Sequence, residues 1–495
     1  MSAFADMRTV LPFSCPLRKR QTENSPYALI GNTGKIRYTP CMKTLRHTFP
    51  VVLVLALVLT GCGPQTPRPR LVYEAATVRD LAEFPQNLTG FAMRAGRDTP
   101  LIPQQRSSVL YEQYKKRFFA AWNQNKPGRG NVEYMRAALN RSGVKRGFAE
   151  NLQPWNNTRW SAMRENADLG AMPSLRISAV TVRGTSLRLL PTERPQLANP
   201  AAPGQSFPFD EAQQTSLHVG TPLVLLHASR DGAWFYAESG VACGWIPAAD
   251  VAGTDEEFRR LWRDAPLAAC HDDDVPLKDE NGRFLAHADI GTVLPFERVD
   301  GTMRVLVPMR DTDGNVRIAR ARTSASSFRA MPQPLTPGRV AELGDRMMGQ
   351  SYGWGGMYGD RDCSSTLRDL FAPFGVWLPR NSSAQAGAGL KIDLRKLSPE
   401  DKERRILADG IPFLTLLQLP GHIGLYVGPH NGRPAFFHNI WGLRTEPSPA
   451  TGGWPGRHVL GRAVVTSLRP GAELPDINKD ALLIHRMSFM TVLGK

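Results

Sequence analysis

The spacing of apolar positions changes along this chain, and each change marks a different architecture. Through residues 71–170 apolar and aromatic positions recur every third or fourth residue, the period of an amphipathic helix. "SSVLYEQYKKRFFAAWNQ" is the clearest such run, with Ser107 and Ser108 as predicted caps. From about residue 175 the period shortens. "LRISAVTVRGTSLRLLP", "TPLVLLHAS", "AWFYAES" and "CGWIPAADVA" are short β-rich runs with Gly, Pro or Asp between them. A second such set begins at "DVPLKDENGRFLAHADIGTVLPFERVDGTMRVLVP" and ends at "VRIARA". Each set predicts a small barrel of about five strands. Trp234 and Trp245 then read as core or groove residues of the first barrel. After residue 336 helix, loop and strand alternate. "TPGRVAELGDRMMG" predicts a helix with Thr336 as cap and Pro337 in its first position.

One helix of this last region carries chemistry. In "YGDRDCSSTLRDLFAPFG" Leu367, Leu370, Phe371 and Phe374 make a single apolar stripe, and Gly375 is a stop. Asp362 is an apt N-cap, so Cys363 is the first helical residue, among free N–H groups at the positive end of the dipole. That setting favours a thiolate of lowered pKa, and the alternative is a buried cysteine acting as a small hydrophobe. A cysteine nucleophile needs a base and the base needs an orienting group. "GHIGLYVG" predicts a buried strand with His422, Gly424 and Tyr426 on one face. "PHNGRPA" is a turn and "FFHNIWG" the returning strand. His422 and His438 then face each other across a hairpin, with Asn439 as competitor for the orienting role.

Compartment and charge narrow the reading. "MKTLRHTFPVVLVLALVLTGCG" has a basic start, an apolar core too short to span a bilayer, and then small residues. It predicts an export signal, with Met42 as a plausible true start, and Leu59-Thr60-Gly61-Cys62 resembles a bacterial lipobox with Cys62 as the lipidated residue. "GPQTPRPR" is a Pro-rich tether. Beyond these, Cys243, Cys270 and Cys363 make no disulfide framework, although a Cys243–Cys270 bridge is open. No Cys or His spacing resembles a zinc site, and no metal or cofactor is implied. The net charge of +16 suits an anionic polymer or a membrane surface. No nucleic-acid motif is present.

The run "YGWGG…DCSS…LPRNSSAQ…GHIGLYVG…FFH" resembles the NlpC family of bacterial cell-wall cysteine endopeptidases. The likeness covers roughly 336–495. The two upstream barrels resemble bacterial SH3-like domains and extend it to most of the exported chain. The resemblance implies a papain-like α+β catalytic domain at 336–495, SH3-like barrels at 173–260 and 261–335, a tether and helical domain at 62–172 and a leader at 1–61. It implies Cys363 as nucleophile, His422 as base, His438 as third polar residue, Tyr352 as support for the oxyanion, and Asp362 and Ser364 as lining of the substrate site. The substrate implied is peptidoglycan stem peptide, cut between γ-D-glutamate and a diamino acid, by a lipid-anchored protein facing the periplasm or wall. If the first barrel closes one end of the groove, a free L-Ala amine needs an acidic partner, for which Asp362, then Glu193 and Glu238, are candidates. A silent wall-binding lipoprotein and a papain-like amidase or acyltransferase are the rival readings. "GIPFLTLLQLPGH" departs from the family's usual Gly-Asp start, and the turn between the histidines is long, which bears on the shape of the groove.

Overall fold

The computed structural model describes residues 78–495. The leader, the lipobox with Cys62 and the Pro-rich tether lie outside the described residues. Among the described residues no helix is long and apolar enough to cross a membrane.

The N-terminal part is helical, with its longest helices at Gln104–Phe118, Arg129–Leu139 and Asn157–Ala167. The first of these starts earlier than Ser107 and Ser108 predict. Pro103 is extended and caps it, and Ser107 N–H already bonds the Pro103 carbonyl at 3.0 Å, so both serines sit inside the helix. Proline just ahead of the helix outweighs the serines because its ring fixes φ there at no cost in hydrogen bonds.

Two β-units follow. The first is a seven-stranded antiparallel sheet built from residues 177–253, larger than the five strands that the pattern predicts. Trp245 is fully buried in it and Trp234 nearly so. The second contains a five-stranded sheet and a separate hairpin of Val275–Lys278 with Phe284–Ala288. Cys243 and Cys270 are both free thiols, so no bridge joins the two units. Cys270 is buried in the second unit, and Cys243 packs against the core around Trp245 in the first.

The C-terminal part is α+β. Its six-stranded antiparallel sheet runs in the order Gly389–Asp393, Phe489–Leu493, Thr415–Leu419, His422–His430, Arg433–Pro447, Pro455–Thr466. Both faces are covered. Ile423, Leu425, Val427 and Phe437 meet Leu367, Leu370 and Phe371 of the Cys363–Phe371 helix, together with Val340 and Leu343 of the Pro337–Met347 helix. On the other face Tyr426, Phe436 and Met490 meet Ile406 of the Pro399–Asp409 helix. Leu367, Leu370 and Phe371 are each 0–1% exposed, worth about 1.5–3 kcal/mol apiece. This packing fixes the Cys363 helix along the His422 strand. A 3-10 turn prolongs the helix to Phe374, and Gly375 ends it at φ 69°, in the left-handed region that glycine tolerates.

Candidate active site

The start of the Cys363 helix is fixed by a reciprocal cap. Asp362 Oδ1 accepts from the N–H groups of Ser364 (3.1 Å) and Ser365 (2.8 Å), and Ser365 Oγ accepts the Asp362 N–H at 2.9 Å. Arg380 clamps the same carboxylate, Nη2 to Oδ2 at 2.6 Å, and bonds Ser364 Oγ at 2.9 Å. Ser364 Oγ donates to Asp362 Oδ1 at 3.0 Å. Asp362 and Ser364 therefore line the groove with their polar atoms engaged by one another and by Arg380. Burial opposes the charge on Asp362, but Arg380 and the cap bonds outweigh it and hold its pKa below the ordinary range.

Cys363 is 8% exposed. The N–H groups of Ile423 and Ser364 both point at its sulfur. Pairing between the His422 and Arg433 strands ends at Leu425↔Phe437, so Cys363 is seated where they part, beside the residue next to His422. The helix terminus does not lower its pKa as the sequence suggests. Burial first, and the Asp362 carboxylate second, push the thiol up to about 12, against weaker help from Arg380 and the two N–H groups. Desolvation of a whole thiolate outweighs a half-charge at a helix end.

The two histidines meet. His422 Nε2 and His438 Nδ1 are 2.7 Å apart, and His438 Nε2 is 3.0 Å from Thr466 Oγ1. Asn439 instead donates to the Arg361 carbonyl at 2.9 Å. The tautomers follow from the far end of this chain of bonds. Thr466 Oγ1 donates its hydrogen to the Ser467 carbonyl at 2.7 Å, so it accepts from His438 Nε2–H. Burial holds His438 neutral, so its Nδ1 accepts from His422 Nε2–H. Burial, aided by Arg486, lowers His422 to about 3, leaving it neutral with a free lone pair on Nδ1. Nδ1 is thus the nitrogen that can take a proton.

Tyr352 lies beside Cys363 and Asp362. Burial, then the charges of Cys363 and Asp362, raise its pKa well above the ordinary value, so its hydroxyl stays a donor. The groove in front of Cys363 has a volume of about 490 Å³. Its walls come from every part of the described chain except the second β-unit. Tyr134 and Arg141 come from the helical part, Glu211 and Gln213 from the first β-unit, and Tyr352 and Arg380 from the C-terminal part. Gln213 Nε2 donates to the Gly355 carbonyl at 3.0 Å and Trp354 Nε1 to the Asp210 carbonyl at 3.0 Å, which seals the first unit against the groove. Glu211 is bridged to Arg141 at 3.0 Å. No local pattern in the sequence marks Glu211 or Arg141. Arg380 stands within "LPRNSSAQ", which offered the one available signal. Glu238 is turned elsewhere, its carboxylate accepting from Gly128 N–H and Tyr236 OH, and Glu193 is exposed and outside the lining. Among the described residues no group of three or more His, Cys, Asp or Glu stands together as a metal site.

Known proteins resemble this chain domain by domain. Residues 349–459 match the NlpC/P60 family model, and 51–171 match the N-terminal stabilising domain of NLPC_P60 proteins. Residues 195–247 match an SH3 domain of SH3b1 type and 255–300 one of SH3b2 type. The structure is similar to that of an NlpC/P60 endopeptidase from Photobacterium damselae subsp. piscicida, 25% identical, with a TM-score of 0.74 over 83% of this chain and 98% of that one. An NlpC/P60 family protein from Bacillus cereus aligns at 17% identity and a TM-score of 0.42, over 64% of this chain and 100% of that one. No curated protein matches the sequence. With a stabilising domain, two SH3 domains and an NlpC/P60 domain in this order, the chain belongs to the NlpC/P60 family of cysteine peptidases.

Proposed function

We propose that this chain is an exported cysteine endopeptidase that cuts peptidoglycan stem peptides between γ-D-glutamate and a diamino acid. It acts on released peptides that begin with L-Ala. The observation that carries the reading is the bond chain Thr466–His438–His422, which leaves His422 Nδ1 as a free base at the strand end where Cys363 sits.

Cys363 Sγ attacks the scissile carbonyl carbon while its proton passes to His422 Nδ1. His438 and Thr466 hold the ring in that tautomer and spread the charge of the imidazolium formed. As the first residue of its helix, Cys363 has a backbone N–H without an intrahelical partner, available with the Tyr352 hydroxyl to the oxyanion. The C–N bond breaks as His422 returns the proton to the leaving amine. Water, deprotonated by His422, then hydrolyses the thioester.

The helical part and the first SH3 domain both reach the groove wall, which supports the choice of released peptides. Tyr134 and Arg141 of the helical part stand there with Glu211. Both acids are paired with an arginine, Glu211 with Arg141 and Asp362 with Arg380, but Glu211 stands exposed on the groove wall while Asp362 is buried. Glu211 therefore replaces Asp362, Glu193 and Glu238 as the partner for an alanine ammonium. The test compares L-Ala-γ-D-Glu-diamino acid tripeptide, its N-acetyl form and whole sacculi. The free tripeptide is cut fastest, with cleavage after the glutamate. Equal rates on the free and acetylated forms remove amine recognition, and faster digestion of sacculi means an open groove.

A further inference from the structure

The second SH3 domain contributes nothing to the groove lining, yet it grips the residue from which the site is hung. Arg361 precedes the Asp362 cap and is 4% exposed. Its side chain uses all five of its N–H donors. Nη1 and Nη2 bind the Asp273 carboxylate at 2.9 and 2.7 Å. Nη2 also donates to the Ile290 carbonyl at 2.9 Å, and Nη1 to Gln350 Oε1 at 2.9 Å. Nε donates to Asp369 at 2.9 Å, within the Cys363 helix. Asp273 and Ile290 belong to the second SH3 domain, and Asp273 is itself held by the Ile290 N–H at 2.8 Å.

The main chain of Arg361 reaches the rest of the site. Its carbonyl accepts the Gly353 N–H at 3.0 Å, and Arg361 bridges to Tyr352. The same carbonyl accepts Asn439 Nδ2 at 2.9 Å, next to His438. The nucleophile, the tyrosine and the histidine strand are therefore all registered on one residue. That residue is pinned from outside the peptidase domain by a two-point guanidinium–carboxylate contact.

We infer that Asp273 is a positioning residue for Cys363, and that the second SH3 domain holds the nucleophile in place through the Asp273–Arg361 pair. This rests on the proposed function for its turnover readout only. Asp273→Asn keeps the size of the side chain and removes the charge that compensates a buried guanidinium. Freed from the clamp, the start of the Cys363 helix loosens and Cys363 gains water. The thiol then becomes more reactive as turnover falls while the buried Cys270 keeps its rate, a combination that simple loss of stability does not produce.

The experiment uses the full chain with Asp273→Asn, and Glu297→Gln as control, since Glu297 pairs with Arg320 on the surface of the same domain. Iodoacetamide labelling is followed at each thiol by mass spectrometry, beside kcat and KM on the free tripeptide. In Asp273→Asn, labelling of Cys363 rises at least fivefold, kcat falls at least tenfold and KM stays within twofold, while Glu297→Gln matches the parent protein. Unchanged Cys363 labelling overturns the inference. So does equal acceleration at Cys270, which would mean that the domain itself had opened. If the parent protein cuts no muropeptide, the proposed function fails while the labelling still decides the clamp.

Discussion

The protonation state of Cys363 in the resting protein gives the sharpest test of the site. The perturbation is pH, read by the rate at which iodoacetamide alkylates Cys363. With its pKa near 12, up from 9.0, the thiolate is disfavoured by about 4 kcal/mol. Near pH 7.5 an ordinary cysteine of pKa about 8.5 is roughly a tenth thiolate, and Cys363 on the same arithmetic holds about 3,000 times less. A more basic thiolate is intrinsically the better nucleophile, which recovers about thirtyfold, so the net rate is about a hundredfold below that of a free cysteine. It should climb about tenfold per pH unit from pH 6 to pH 9, without a plateau. His422→Ala should alter this labelling less than threefold while abolishing turnover, because the base acts only when substrate arrives. Transfer of the proton within the site creates both charges together. Their attraction, about 4 kcal/mol at about 4 Å in a partly screened site, offsets much of the desolvation that each would suffer alone. A rate that is flat from pH 5 to 9, and that collapses in His422→Ala, would refute this reasoning and restore a resting thiolate–imidazolium pair.

Other outcomes follow from the same contacts. Thr466→Val removes the acceptor for His438 Nε2–H and should cut kcat at least tenfold with little change in KM, whereas Thr466→Ser keeps most of the activity. Arg380→Met strands the buried Asp362 carboxylate and should lower stability by about 3–5 kcal/mol by urea denaturation, with Arg380→Lys recovering only part. His271 is buried, with its folded-state pKa lowered to about 4, so below about pH 6.5 the unfolded chain takes up a proton that the native one refuses. Stability should therefore fall as pH drops from 6.5 towards 4, by about 2 kcal/mol at pH 5 from this residue, and His271→Leu should remove that share. Mass spectrometry of the exported protein should find a mature chain that begins at a lipidated Cys62, and an unmodified cysteine there would exclude the lipid anchor.

Local chemistry made much of the site legible in the sequence. The Asp362 cap and the apolar stripe through Leu367, Leu370 and Phe371 fix where the helix begins and which way it faces, so the place of Cys363 was readable from a dozen residues. The turn between His422 and His438 likewise announced a hairpin, though not its register, and only the 2.7 Å contact separates His438 from Asn439. What escaped was set by distant parts of the chain. The rise in the Cys363 pKa comes from burial beneath other elements, which a helix-end argument cannot weigh. Glu211 and Arg141 face the groove only because the first SH3 domain and the helical part close over it. Ser107 and Ser108 misled for a local reason, since a proline upstream had already started the helix.

The Arg361 contact bears on how such a chain can change over generations. Modular proteins evolve by trading domains whose seams carry little, yet here a seam between two modules holds a buried charge and its partner, with Asp273 on one side and Arg361 on the other. A recombination event that brought in a foreign SH3 domain without an acid at that point would leave the buried guanidinium with Asp369 alone, a carboxylate it already shares with Arg368. Modules can be exchanged freely only where they hang from tethers. The second SH3 domain should be inherited together with the peptidase domain, with Asp273 and Arg361 gained or lost in the same lineages.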